Sequence, residues 1–191
     1  MKKLVTCKEM KDLDSTTIRE IGVPSEVLME RAALKVVEET EKYLQKDERI
    51  LVVCGSGNNG GDGIAVARLF HLKGIRVEFY MVGNKDKMTR ETALQYKIAS
   101  GYRVPEVNNP QWSEYTTIVD AVFGVGLTRP IEGHYADIIH EMNSARAKKI
   151  AVDIPSGVNG DTGLEMGIAF SADLTVTFAY RKRGLCFYPG R

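Results

Sequence analysis

The segment RILVVCGSGNNGGDGIAVARLF, Arg49 to Phe70, constrains the fold of this chain more than any other stretch. Ile50 to Cys54 is short, apolar and rich in β-branched residues, as a strand buried on both faces of a parallel sheet must be. Five glycines, two asparagines and an aspartate follow, and helix-forming residues resume at Ile64 to Phe70. A strand that feeds a glycine-rich turn and then a helix aims backbone N–H groups and a positive helix end at one point. That point suits an anionic ligand.

Gly55-x-Gly57-x-x-Gly60 matches the glycine fingerprint of dinucleotide sites, which also lies between a strand and a helix. The rest of the dehydrogenase pattern is missing. The second strand, Arg76 to Val82, ends in Gly83 and Asn84 rather than in an acid that could hold a ribose, and Glu78 comes too early. Asn58, Asn59 and Asp62 also place more polar side chains in the turn than a turn requires. Those side chains imply polar or ionic work.

A chain of 191 residues is long enough for one core, and no linker divides it, so residues 1–191 are expected to form a single domain. Hydrophobic residues make up 43% and the net charge is +1, which argues against disorder and against a polyanion-binding surface. Nucleic acid is not an expected partner. The start, MKKLVTCKEMKDLD, has neither the apolar core of a secretory signal nor a membrane span, so the expected location is cytoplasmic. Cys7, Cys54 and Cys186 lack metal-ligand spacing and read as buried thiols, and His71, His134 and His140 are too scattered to form a ligand set.

Along the chain, Thr6 and Glu9 have capping-box spacing, with Met10, Leu13, Thr17 and Ile21 on one helical face until Gly22 and Pro24. Ser25 is positioned to cap a second helix, Glu26 to about Gln45, whose apolar stripe includes Met29, Ala33, Val36, Val37 and Leu44. Strands are then expected at Arg76–Val82, Thr117–Ala121, Lys149–Ile154 and Leu174–Phe178, with helices at Lys87–Ser100 and Ile131–Ala147. Alternation of this kind requires crossovers. The fold class is therefore α/β, a Rossmann-like three-layer α/β/α sandwich with a mainly parallel sheet.

In such a sheet ligands bind beyond the carboxyl ends of the strands. That rule selects three segments: the glycine loop after Cys54, Val119 to Arg129 and Val152 to Asp161. One aspartate at a strand end is an ordinary cap or turn former. Two of them, Asp120 and Asp153, beside Asn59 and Asp62 would gather hard oxygen ligands that need a cation, a proton or a basic partner. The chemistry favours magnesium or an alkali cation over zinc or copper.

The segments GSGNNGGDG, VDAVFGVGLTR and VDIPSGVNGDTG, with LMERAA and ADLTVTFAYRKRG, resemble the NAD(P)HX epimerases, also called YjeF amino-terminal domains. The resemblance spans almost the whole chain. It implies an isomerase that repairs NADHX and NADPHX, the hydrated forms of the reduced nicotinamide cofactors, by interconverting their R and S epimers. A noncatalytic nucleotide- or protein-binding module of the same fold is the alternative. By motif, Asn58, Asn59, Gly60, Gly61 and Asp62 resemble one substrate-binding loop, and Gly124, Val125, Gly126, Leu127, Thr128, Arg129 and Pro130 a second, which closes over ligand. Asp153 resembles a further ligand contact, and Asn59, Asp120 and Ser156 resemble the ligands of a potassium ion (K+).

The resemblance also implies a homodimer and an ATP- or ADP-dependent dehydratase, fused or separate, that uses the S epimer. LMERAA departs from the family's usual LMERAG, which touches only local helix packing. At Tyr188-Pro189-Gly190-Arg191, where this chain stops, relatives continue for a further segment. Asp153 is the expected acid and base, given a neighbouring anion or burial to raise its pKa, with Asp120 holding the cation; the alternative exchanges the two roles.

Overall fold

A computed structural model describes residues 3–187, so the Tyr188–Arg191 segment lies outside the described residues. The elements run β1 (Leu4–Val5), α1 (Cys7–Arg19), α2 (Ser25–Glu41), β2 (Arg49–Cys54), α3 (Asn58–Leu72), β3 (Arg76–Met81), α4 (Arg90–Gly101) and β4 (Thr117–Ala121). They continue with α5 (His134–Ser144), β5 (Lys148–Val152), β6 (Leu174–Val176) and β7 (Arg181–Lys182). Five strands form one parallel sheet in the order β3-β2-β4-β5-β6. The expected α/β sandwich is therefore observed.

Alternation along β2 divides the core. Ile50, Val52 and Cys54 face a cluster built with α2, α3 and α4, while Leu51 and Val53 face a cluster built with α5. All five residues are fully buried. At roughly 1.5–3 kcal/mol per buried aliphatic side chain, the central strand anchors both layers. The chain leaves β2 toward β3 on one side and returns to β4 on the other, so the strand order reverses between β2 and β4. A crevice opens there at the carboxyl ends.

The Thr6–Glu9 capping box forms, but the apolar face read for α1 is only partly used: Met10 is buried, whereas Leu13 and Ile21 are exposed. Ser25 does not cap α2. Pro24 occupies the cap position without a side-chain bond, and the Ser25 hydroxyl donates to Glu91 at 3.0 Å, tying α2 to α4. Of the three thiols, Cys54 is buried and Cys7 and Cys186 are half-buried.

A second sheet pairs β1 with β7 in parallel, Leu4 with Arg181 and Val5 with Lys182. Two residues per strand give no periodicity to read in a sequence. This small sheet brings the end of the described chain back to its beginning, beside the carboxyl edge of β5. Among the described residues no helix is long and apolar enough to cross a membrane.

Candidate active site

The glycine segment is mostly helix rather than loop. α3 begins at Asn58, six residues before Ile64 resumes the apolar pattern, with Gly57 at its cap. The reason is close packing. A Cβ on Gly60 would overlap the Gly55 carbonyl, and one on Gly63 would overlap the Ala121 Cβ. Only glycine lets the first turns of α3 lie this close to β2 and β4. Helix geometry leaves the N–H groups of Asn58, Asn59 and Gly60 without intrahelical acceptors, whereas Gly61 N–H is already bonded to Gly57 O at 3.3 Å. Asp62 N–H, one residue further, is likewise inside the helical ladder. The cradle for an anion is thus three donors at a helix end.

Asn59, Asp120 and Ser156 converge on the Phe123 peptide. Asn59 Nδ2 donates to Phe123 O at 3.0 Å, and Phe123 N–H donates to Ser156 Oγ at 2.8 Å. Ser156 Oγ donates to Asp120 Oδ1 at 2.6 Å, Val122 N–H to the same oxygen at 3.1 Å, and Ser156 N–H to Asp120 Oδ2 at 2.7 Å. Asp120 is fully buried between Val53 and Ala151 of the neighbouring strands. Burial raises its carboxyl to about 6, against the lowering effect of the Ser156 and Val122 donors.

The donor set available for a cation is all oxygen: Asn59 Oδ1, which faces Gly124, the Asp120 carboxylate and the Ser156 hydroxyl. Among the described residues no cluster of three or more His, Cys, Asp or Glu could hold a metal ion. One carboxylate with neutral oxygens suits a hard monovalent ion better than magnesium, which asks for octahedral geometry and commonly more carboxylate.

Asp153 directly follows β5 with φ +65°, a left-handed conformation uncommon for a residue other than glycine. Two backbone bonds hold the turn there, Asp153 N–H to Val176 O at 2.9 Å and Val158 N–H to Pro155 O at 3.0 Å. The carboxylate Oδ1 accepts from Lys182 Nζ at 2.5 Å, Thr177 Oγ1 at 3.1 Å and Phe178 N–H at 3.3 Å. The sequence suggested either burial or a neighbouring anion; Asp153 is buried, but the charged neighbour in hydrogen-bond contact is not an anion. The one found is the ammonium of Lys182, whose side chain is 1% exposed.

Lys182 is the site residue that the sequence reading missed. It stands in Arg181-Lys182-Arg183, which reads as a solvated basic run, and only the β1·β7 pairing turns it inward. Its ammonium also donates to Thr177 Oγ1 and Phe178 O, both at 3.2 Å. Asp62 behaves differently from Asp153. Its carboxyl makes no hydrogen bond among the described residues, and burial, then the charges of Asp153 and Asp14, hold it well above the usual carboxylate range, with Lys182 opposing.

The second proposed loop, Gly124 to Pro130, leaves β4 without joining another element. Thr128, Arg129 and Pro130 are exposed, and Arg129 has no carboxylate partner among the described residues. Gly124, Val125, Leu127 and Thr128 form one wall of a cleft of roughly 430 Å³; Lys11 and Asp161 line the other. Asp161 receives the Cys7 N–H at 2.6 Å, which fixes the start of α1 across the cleft. A larger hollow of about 820 Å³ runs along β6 and contains none of the residues selected from sequence.

Comparison with known proteins places the family and the fold. Residues 25–184 match the family model described as YjeF-related protein N-terminus. The chain is 48% identical over 191 residues to an NAD(P)H-hydrate epimerase of Oenococcus oeni, covering 98% of this chain and 90% of that protein. It is 45% identical over 188 residues to the protein of the same name from Limosilactobacillus fermentum, with the same coverage. The crystal structure of yeast ynu0, YNL200c, superposes with a TM-score of 0.85 at 23% identity, over 96% of this chain and 83% of that one.

Proposed function

The chain belongs to the family of YjeF-related protein N-termini, and from that membership and the geometry above we propose that it is an NAD(P)H-hydrate epimerase. It interconverts the R and S epimers of NADHX and NADPHX. The observation that carries the reading is the gathering, at the strand-order reversal, of an anion-seeking helix end, an oxygen cluster and a buried Asp153–Lys182 pair. A phosphorylated substrate with a reactive carbinolamine needs all three.

The hydrated ring carries a hydroxyl on the carbon beside the ring nitrogen. Loss of that oxygen as water, with the nitrogen lone pair closing a C=N bond, leaves a cation, and water returning to the opposite face gives the other epimer. Asp153 is the carboxylate that opposes the developing charge and takes a proton from the returning water. Lys182, Thr177 and the Phe178 N–H occupy its Oδ1, leaving Oδ2 as the oxygen that can serve substrate.

Backbone N–H groups of Asn58, Asn59 and Gly60 bind substrate phosphate, and Gly124 to Pro130 closes over the ligand, with Arg129 contributing a bidentate cation. Asn59, Asp120 and Ser156 would hold potassium. A monovalent cation held there would supply positive charge to the pocket and neutralise Asp120. The expected assembly is a homodimer, and the expected partner activity is the dehydratase that consumes the S epimer.

The test follows disappearance of R-NADHX from a mixture of epimers by chromatography. Wild type should exchange it faster than the spontaneous rate, and Asp153→Asn should fold, bind and lose roughly 10²–10⁴ in rate. A wild type without exchange above the spontaneous rate would leave a binding module instead.

A further inference from the structure

We propose that Asp62 is the proton donor of the epimerisation, paired with Asp153 as the charged carboxylate. This rests on the epimerase reading of the same site. Helix α3 sets the direction of Asp62. Gly60 faces Gly55, Gly61 faces Met29 and Thr92 of the neighbouring helices, and Gly63 faces Ala121 and Cys54 of the sheet. Asn59, one turn before Asp62, points at Phe123 and Gly124. A residue three positions after Asn59 shares its side of the helix. Asp62 therefore lies on the side of α3 that looks along the carboxyl edge toward β5, against which α3 packs.

The two carboxyls differ in their partners. Asp153 Oδ1 accepts from an ammonium, a hydroxyl and an N–H, and an oxygen so occupied acts as an acceptor. Asp62 has no donor directed at it among the described residues, although Asp153 is near enough for their charges to interact. Two carboxyls at one site whose environments differ this way divide into acid and base. The direction of the Asp62 shift agrees with that division.

In the step itself, Asp62 gives its proton to the departing hydroxyl. The C–O bond pair leaves with the oxygen as water, and the ring nitrogen lone pair forms the C=N bond. The resulting cation faces two carboxylates. Water then adds to the opposite face, its oxygen supplying the new C–O pair, and its proton passes to Asp153. A proton relayed through solvent from Asp153 to Asp62 restores the starting state. No oxidant or further reactant is required.

Asp62→Asn is nearly isosteric and cannot donate an acidic proton. The charged groups facing Asp62 from packed elements are Asp14 of α1, Asp153 beyond β5 and Lys182 of β7, and none is altered. In wild type, kcat/KM for R-NADHX should fall as pH rises through the pKa of Asp62. In Asp62→Asn the rate should drop roughly 10²–10⁴-fold and that alkaline limb should vanish, while NADPH binding by fluorescence titration is retained. An Asp62→Asn protein with wild-type rate, or with a lower rate and an unchanged pH profile, overturns the proposal. A wild type that exchanges no faster than solution overturns the epimerase reading itself, and the proposal with it.

Discussion

Replacing Lys182 by methionine removes the cation from a carboxylate that can reach little water. The side chains are 1% and 12% exposed, so solvent cannot take over the ammonium's place. Breaking a buried pair from one side costs about 3–5 kcal/mol, because the remaining charge is left uncompensated. The Thr177 hydroxyl and Phe178 N–H still reach Asp153 Oδ1, which favours the lower half of that range. For a chain of this length each kcal/mol lowers Tm by about 2–4 °C, so Lys182→Met should melt roughly 10 °C below wild type by calorimetry. The exposed pair Lys8–Asp12, with side chains 85% and 64% accessible, is the control. Lys8→Met should leave Tm nearly unchanged, since solvent screens a pair this exposed. The double variant Lys182→Met/Asp153→Asn carries no unpaired charge and should recover part of the loss. A Lys182→Met shift as small as that of Lys8→Met, or a double variant as unstable as the single one, would refute the buried-pair argument.

Asp120 has a folded pKa of about 6 against an ordinary 3.8, so it imposes a stability cost of about 3 kcal/mol that is fully present above pH 6 and fades as pH falls toward 4. Denaturant midpoints in potassium-free buffer should therefore fall between pH 4 and 6 from this group, and Asp120→Asn should flatten that slope. Potassium should raise the Tm of wild type more at pH 7.5 than at pH 5, and not raise that of Asp120→Asn, as judged by thermal scans against potassium-free controls. Gly60→Val should fail to fold or melt far below wild type, because its Cβ would meet the Gly55 carbonyl, whereas Gly57→Ala meets nothing within 4 Å and should fold normally. Phosphate affinity is thus testable at Gly57 and not at Gly60.

The parallel sheet was legible because its central strands β2, β4 and β5 are buried along most of their length. β4 falls at the expected Thr117–Ala121, and β2, β3 and β5 differ by one or two residues at an end. The start of α3 was not legible, since Asn-Asn-Gly-Gly-Asp-Gly has the composition of a loop. Local propensity loses there to packing, which demands glycine wherever a helix crosses a strand end this closely. The rule for strand ends put Asp120 beside Asn59, the family resemblance added Ser156, and the structure gathers the three on one peptide. Lys182 escaped because its inward orientation depends on a pairing 177 positions away in sequence, Val5 with Lys182.

Asp153 and Ser156 stand on the same turn, three residues apart and separated by Pro155. Proline fixes the backbone between them, so a shift at one end is transmitted to the other rather than absorbed. Ser156 fastens that turn to Asp120 through both its N–H and its hydroxyl, and Lys182 fastens it to β7 through Asp153. The left-handed φ at Asp153 carries a backbone cost of order 1–3 kcal/mol, which these fixings offset. The oxygen cluster and the Asp153 carboxylate are consequently one mechanical unit. A cation bound through Asp120 and Ser156 would therefore stiffen the carboxylate's orientation without touching it.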